Sequence, residues 1–388
     1  MQNNYSTTKY PNATIPLAAG SGGADSDELI RKLFLPYLGG FFVSEGEDAG
    51  VFSVSNLQKP QNINSQNLQN HSLQILDKSQ DFALSTDSFV ISPIFFNGGD
   101  IGKLSVCGSS NDVAMMGAKP EFIAFGFMIE EGLATNELEK VLTSIAQELQ
   151  STNLKILSAD TKVLPKGSLD KLFINTTCIG KILKKGISSK ALQKGDKIIL
   201  SAPIGAHGAS IFASREGIGL HSNLRSDCAQ LYPMLEPLFA SDFGIHALRD
   251  ATRGGLSSVL NEWAVSSSAK ILIDEESIKI DKEVRGVCEI LGLEAYMLAN
   301  EGVCVLSVEA NEADKICAIL QNHPLGKEAR IIGEVSEITQ ENNKDFTQNT
   351  ATTFTQFVTQ KSQVVLQNKY GSKRFMEYPQ GELLPRIC

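Results

Sequence analysis

Apolar residues recur along this chain with two periods, one suited to helices and one to strands. After Thr135, a residue type suited to capping, Leu138, Val141, Leu142, Ile145 and Leu149 follow at helical spacing and predict a helix. Short apolar runs predict strands at 51–54, 82–84, 155–157, 172–179 and 197–200. Leu256, Val259, Leu260, Trp263 and Ala264 share one face of a helix predicted over 255–265, and that stripe reads as core. Asn311 is placed to cap a helix bearing Ile316, Ile319 and Leu320, between strands at 303–308 and 329–335. Helices and strands alternate in both halves, which predicts an α/β first domain and an α+β second domain. A connector at 188–195 and a glycine-bearing turn at 203–208 mark the start of the second.

Two polar segments interrupt this order. Residues 56–80 hold five Asn and six Gln in 25 positions, a composition that cannot bury enough apolar area to order itself, so they read as a surface insertion. From 341 to 369 the chain turns rich in Thr, Gln and Asn, and it ends in GELLPRIC. Pro385 removes a backbone donor and disfavours helix before it, so 384–387 is expected to be an extended, mobile arm.

Composition narrows the class. Hydrophobic residues make up 42% of the 388, and 32 glycines bring the apolar share to that of ordinary globular proteins. The run 122–129 is far too short to cross a bilayer, and the polar start lacks a secretory signal, so a cytoplasmic protein is expected. The net charge of -9 comes without a Lys/Arg cluster, which speaks against a nucleic-acid or anionic-membrane surface. The seven cysteines form no CxxC pair and the five histidines no HxxxH pair, so no zinc site is indicated. Six of these cysteines read as small buried residues.

The candidate chemistry lies in the acidic residues. Asp48, Asp87, Asp100, Asp112, Asp160 and Asp250 fall at what read as turn-like ends of apolar runs. Their ordinary role is to form turns and cap helices. Converging on one cleft, they would instead suit Mg²⁺ with a phosphate substrate, since the hard ion takes oxygen ligands. Gly20, Ser21, Gly22 and Gly23 offer N–H groups to an anion, or form a plain turn, and they lack the GK[ST] of a Walker A loop. Thr252 and Arg253 precede the 255–265 helix, where N–H groups and a guanidinium can face phosphate. Lys162 is a candidate for neutralising charge in phosphoryl transfer. Cys388 stands last, on an arm suited to a covalent carrier.

Together these residues resemble the HypE family of hydrogenase maturation proteins, within the superfamily of aminoimidazole ribonucleotide synthetase and selenophosphate synthetase. The resemblance runs through GSGG (20–23), ELIRKLFLP (28–36), EDA (47–49), STDSFVISPIFFNGGDIGKLSVCGSSNDVAMMGAKPEF (85–122), ADTKV (159–163), FINTTCIG (173–180), RDATRGGLSSVLNE (249–262), NEG (300–302) and PRIC (385–388). The family usually carries His where this chain has Ala19 and Gly where it has Ala159.

What the resemblance implies is specific. An N-terminal domain over 14–182, with strands forming a barrel across a homodimer, would precede a C-terminal domain over 190–340 and a tail over 341–388. ATP would lie between the domains and drive dehydration of a carbamoyl group on Cys388 to a thiocyanate, the source of cyanide for [NiFe]-hydrogenase iron. By resemblance Asp48, Asp87, Asp112 and Asp250 would hold Mg²⁺, with Asn111, Asp160 and the 20–23 loop around the nucleotide. Lys162 would stabilise transferring charge, Glu301 would take the nitrogen proton, and Arg386 would help to dock the tail. The implied partners are the carbamoyltransferase HypF and a HypC–HypD iron scaffold. Two other readings compete: another ATP-dependent enzyme of the superfamily, such as a selenophosphate synthetase or small-molecule kinase, and a non-catalytic carrier.

Overall fold

In the computed structural model, residues 23–34, 49–53, 80–215, 224–339, 363–381 and 384–388 are described. A short helix α1 (Gly23–Leu29) runs into one π-helical turn. Strands β1 (Gly50–Ser53), β2 (Asp81–Phe89), β3 (Phe95–Phe96) and β4 (Gly99–Asp100) follow. Next come α2 (Ile101–Met115), β5 (Ala118–Glu130), α3 (Thr135–Thr152), β6 (Lys155–Leu164) and β7 (Leu172–Ile182). Buried and half-buried residues alternate along β7, the period expected of a strand with one face on the core. The first sheet has the order β1-β2-β7-β5-β6, antiparallel except for β5 with β6.

Helix α2 is buried on almost every side, as a helix carrying small and apolar residues all round must be. It crosses β2, β7 and β5 and also meets β9 and α5 of the second half. Asp100 caps it, Oδ1 accepting from the N–H groups of Gly102 at 2.7 Å and Lys103 at 3.1 Å.

The second half contains β8 (Lys197–Leu200), α4 (Ala206–Ser214), α5 (Tyr232–Phe239), β9 (Ile245–Asp250), α6 (Gly255–Ser266), β10 (Ala269–Asp274) and α7 (Lys282–Leu291). It continues with β11 (Cys304–Val308), α8 (Ala313–Gln321), β12 (Arg330–Ile338), β13 (Val364–Gln367) and β14 (Lys373–Phe375). Its sheet has the order β14-β13-β10-β12-β8-β11-β9. Leu256, Val259, Leu260, Trp263 and Ala264 are all buried, as their spacing predicts.

Several expectations are corrected. Ala134, not Thr135, occupies the cap position of α3, without a side-chain bond, and Leu142 is 45% exposed, so the apolar stripe is narrower than its spacing suggests. Glu312, not Asn311, stands at the cap position of α8. The turn expected at 203–208 winds into α4 from Ala206, because Gly205 at φ +87° starts the helix from the left-handed region. Residues 363–376 are not a free arm, since β13 pairs in parallel with β10 and β14 closes on β13. The 56–80 insertion, except Gln80, lies outside the described residues.

Candidate active site

The end of the chain folds back into the groove between the two halves. Asn261 Nδ2 donates to the Met376 carbonyl at 3.2 Å, and Ser257 Oγ donates to that of Glu377. Gly381 N–H reaches Asp25 Oδ2 on α1 at 2.7 Å. Gly23 has φ +69°, and a Cβ there would stand 2.5 Å from the Pro379 carbonyl oxygen, so only glycine lets α1 lie against the tail.

The last four residues are held mainly through their main-chain oxygens. Arg215 donates to Pro385, the Ser92 N–H to Arg386 at 3.1 Å, His207 Nε2 to Ile387 at 2.7 Å and the Val90 N–H to Cys388 at 3.1 Å. Leu384 and Ile387 are buried. The expected extended run breaks at Arg386, whose φ of +48° turns the chain inward. The Arg386 side chain repays that kink by donating to the Val90 carbonyl at 2.8 Å, pairing with Asp170 at 2.6 Å and lying over the Phe173 ring at 5.6 Å.

This docking brings Cys388 among charges. Burial pushes its thiol up to about 11, opposed by Arg253, with Glu301 and Asp87 adding to the rise. Arg253, from the loop before α6, is pushed up first by Cys388 and then by Asp87, Glu301 and Asp112. Glu301 lies well above the usual carboxylate range, because burial and then Cys228, Asp250, Asp227 and Asp87 all disfavour its charge. One neighbourhood thus contains Cys388, Arg253, Glu301, Asp87, Asp112 and Asp250. Thr252 sits beside it and accepts the Gly255 N–H at 2.9 Å.

The acidic residues are not all at turns. Asp87 lies within β2, Asp112 within α2 and Asp160 within β6, because these elements run further than the apolar runs suggest. Asp112 accepts from Ser85 Oγ at 2.5 Å. Asp100 is occupied as the cap of α2. Asp160 and Lys162 do not face this neighbourhood: they pair with each other at 2.8 Å on the exposed edge strand β6, their side chains 71% and 68% exposed. Asn111 braces the two halves, Nδ2 donating to the Ala229 carbonyl at 3.0 Å and Oδ1 accepting from the Leu231 N–H at 2.8 Å. Gly20, Ser21, Gly22 and Asp48 lie outside the described residues.

Four residues of the site carry no motif signal strong enough to single them out: Arg215, His207, Ser226 and Asp227. Asp227 Oδ1 accepts the Glu301 N–H at 3.1 Å, and burial pushes its carboxyl up to about 6. The next residue, Gly302, is required by contact, since a Cβ would meet the Asp227 carbonyl oxygen at 1.9 Å. A histidine between glycines, in Gly205-Ala206-His207-Gly208, was the one available hint.

Among the described residues no group of three or more His, Cys, Asp or Glu is placed to hold a metal ion by itself. The donors near Cys388 are carboxylates, which suits Mg²⁺, an ion usually bound by one or two carboxylates together with phosphate oxygens and water.

Comparison with known proteins places this arrangement. Residues 46–182 match the N-terminal domain of AIR synthase related proteins and 193–341 the C-terminal domain. Carbamoyl dehydratase HypE of Escherichia coli (strain K12) is 39% identical over 375 residues, covering 96% of this chain and 99% of its own. The chain belongs to the carbamoyl dehydratase HypE family. A crystal structure of HypE in complex with ATP superposes with TM-score 0.71 at 34% identity, covering 97% of this chain and 100% of that one. HypE in a HypE–HypF complex gives TM-score 0.74 at 34% identity, covering 90% and 99%. The two-domain α/β fold is that of HypE. Among the described residues no helix is long and apolar enough to cross a membrane.

Proposed function

We propose that this chain dehydrates a carbamoyl group carried on Cys388, using ATP, and so supplies cyanide for the iron of [NiFe]-hydrogenase. The observation that carries this reading is the docked tail, held by Val90, Ser92, His207 and Arg215, which brings the Cys388 thiol within electrostatic reach of Arg253, Glu301 and Asp87. An amide oxygen is a poor leaving group. Transfer of the γ-phosphoryl group to the oxygen of S–C(=O)–NH₂ gives ADP and a phosphorylated imidate. Loss of the remaining N–H proton then expels phosphate and leaves S–C≡N. Two protons leave the nitrogen, and the oxygen leaves in phosphate.

Glu301 is the base for the nitrogen proton, because a carboxylate whose pKa is raised by burial accepts a proton more strongly than an exposed one. Arg253 stabilises charge that develops as oxygen is phosphorylated and phosphate leaves. Asp87, Asp112 and Asp250, with Asp48, would hold Mg²⁺, which when bound neutralises phosphate charge. The Gly20–Gly23 loop and Thr252 bind the nucleotide.

Every residue of β6 from Lys155 to Val163 is exposed, including Ile156, Leu157 and Val163. An exposed edge strand of this length, with Ile156, Leu157 and Val163 uncovered, invites pairing with another chain. A second copy covers it, the two first sheets closing a barrel across the homodimer. There Asp160 and Lys162 would serve the nucleotide of the other copy.

The tail leaves the groove for loading by the carbamoyltransferase HypF with carbamoyl phosphate, and again for delivery to a HypC–HypD iron scaffold. The work is cytoplasmic. Intact mass tests the proposal: HypF and carbamoyl phosphate should add about 43 Da at Cys388, and ATP should then remove about 18 Da. An unmodified Cys388 during ATP turnover on a free small molecule would overturn it.

A further inference from the structure

Of the three peptide carbonyls that dock the tail, the one nearest the reacting sulfur in chain order belongs to Ile387. Its donor is a side chain 180 residues earlier in the chain. His207 lies in the first turn of α4, fully buried, and Nε2 stands 2.7 Å from the Ile387 oxygen. A carbonyl only accepts, so Nε2 carries the ring proton. Nδ1, at 2.8 Å from Ser226 Oγ, is then the acceptor of the serine hydroxyl. Ser226 Oγ in turn accepts the Cys228 N–H at 3.1 Å. Each partner has one consistent role, and together they fix the tautomer.

The ring is also held on its other sides. Phe96 meets it edge-on with centroids 5.6 Å apart. Asp227, next to Ser226, holds the Glu301 N–H, so one short loop registers both the tail and the base. Burial lowers the imidazole to about 4, so it is neutral at working pH and keeps the single proton that the tail needs.

We propose that His207, oriented by Ser226, is a positioning residue for the dehydration: its Nε2–H fixes the Ile387 carbonyl and thereby aims the Cys388 sulfur and its cargo at Arg253 and Glu301. The bond exists only while the tail is docked. It therefore acts on dehydration and not on loading. This inference rests on the reading of the chain as a dehydratase acting on Cys388.

The test compares wild type, His207→Ala, His207→Gln, His207→Asn and Ser226→Ala in the full chain. Each is loaded by the carbamoyltransferase with carbamoyl phosphate, and the ATP-dependent loss of about 18 Da is followed in a single turnover. His207→Ala should load normally and dehydrate roughly 10- to 100-fold more slowly, the loss expected for one buried hydrogen bond that orients a reacting group. His207→Gln should recover to within a few fold of wild type, because its amide nitrogen reaches about as far as Nε2. His207→Asn, whose nitrogen falls short, should not. Ser226→Ala should slow the step less than His207→Ala.

Equal dehydration rates in wild type and His207→Ala would overturn the proposal. So would a His207→Gln variant that folds normally yet is as slow as His207→Ala, which would assign the ring a packing role. A second measurement needs no chemistry on the cargo: alkylation of the unloaded Cys388 should be faster in His207→Ala and Ser226→Ala than in wild type. If wild type itself fails to dehydrate, the functional reading falls, and the alkylation rates still decide whether His207 holds the tail. Unchanged rates there would refute it.

Discussion

Arg386 offers the sharpest test of the docked tail. Replacing it with alanine removes the bond to the Val90 carbonyl, the ion pair with Asp170 and the stacking on Phe173. The first, from a charged donor, contributes about 1.5 kcal/mol. The ion pair, whose partners are 32% and 50% exposed, contributes ~0.5 kcal/mol after solvent screening. The ring contributes ~0.5 kcal/mol. Together about 2.5 kcal/mol shifts the docking equilibrium outward roughly 60-fold.

The reporter is Cys388. Its thiol moves from an ordinary 9.0 to about 11 on docking. At neutral pH that difference lowers the thiolate fraction, and hence the alkylation rate, about 100-fold. Docking favours the neutral thiol, so it is unaffected by pH below 9 and weakens as pH rises from there toward 11. The assay is reaction with iodoacetamide, read by intact mass, with a single fast adduct because the other six cysteines are buried. Arg386→Ala should react 10- to 100-fold faster than wild type at pH 7.5. Its rate should level near pH 9, while the wild-type rate is still climbing there. Equal rates and one shared midpoint near 9 would refute the reasoning.

Three further outcomes follow from the same structure. Glu301→Gln should load normally but dehydrate roughly 10²- to 10⁴-fold more slowly, and the acid limb of the wild-type pH profile, which lies above the usual carboxylate range because the base must ionise, should vanish. Leu157→Glu, on exposed β6, should convert the proposed dimer to monomers in sedimentation and reduce ATP-dependent turnover with it. Asp100→Ala should lower stability by about 1–2 kcal/mol through loss of the α2 cap, seen as a lower melting temperature with loading chemistry intact.

The periodic parts of this fold were legible in the chain. The 256–264 stripe and strand β8 appear where spacing alone puts them, because a face packed on a core imposes its period directly. The polar residues were harder. Asp87, Asp112 and Asp160 resemble turn residues in a string of letters, yet each lies inside a regular element, where tertiary neighbours decide what a carboxylate faces. The left-handed kink at Arg386 has no local signature, since its cause is the set of donors at Val90, Ser92, Arg215 and His207 far away in sequence. Strand β13 was hidden because its Thr- and Gln-rich surroundings dilute a short apolar run, and β14, Lys373-Arg374-Phe375, has no apolar run to show. Asn111 is assigned to the nucleotide by resemblance, and what the sequence does not show is that its amide also bonds the main chain of residues more than a hundred positions away.

The pairing of β13 with β10 anchors the tail at a fixed root. About a dozen residues separate Met376 from Cys388, so in the proposed undocking of the tail the sulfur would move on a leash of at most ~40 Å. A substrate on a leash has no Michaelis constant; its local concentration is set by tether geometry, and each turnover begins and ends with the same molecule. On that proposal every enzyme that loads or unloads the sulfur must bring its own reacting centre within that radius of one edge of the second sheet, which makes the leash a ruler for the size of any assembly working on it.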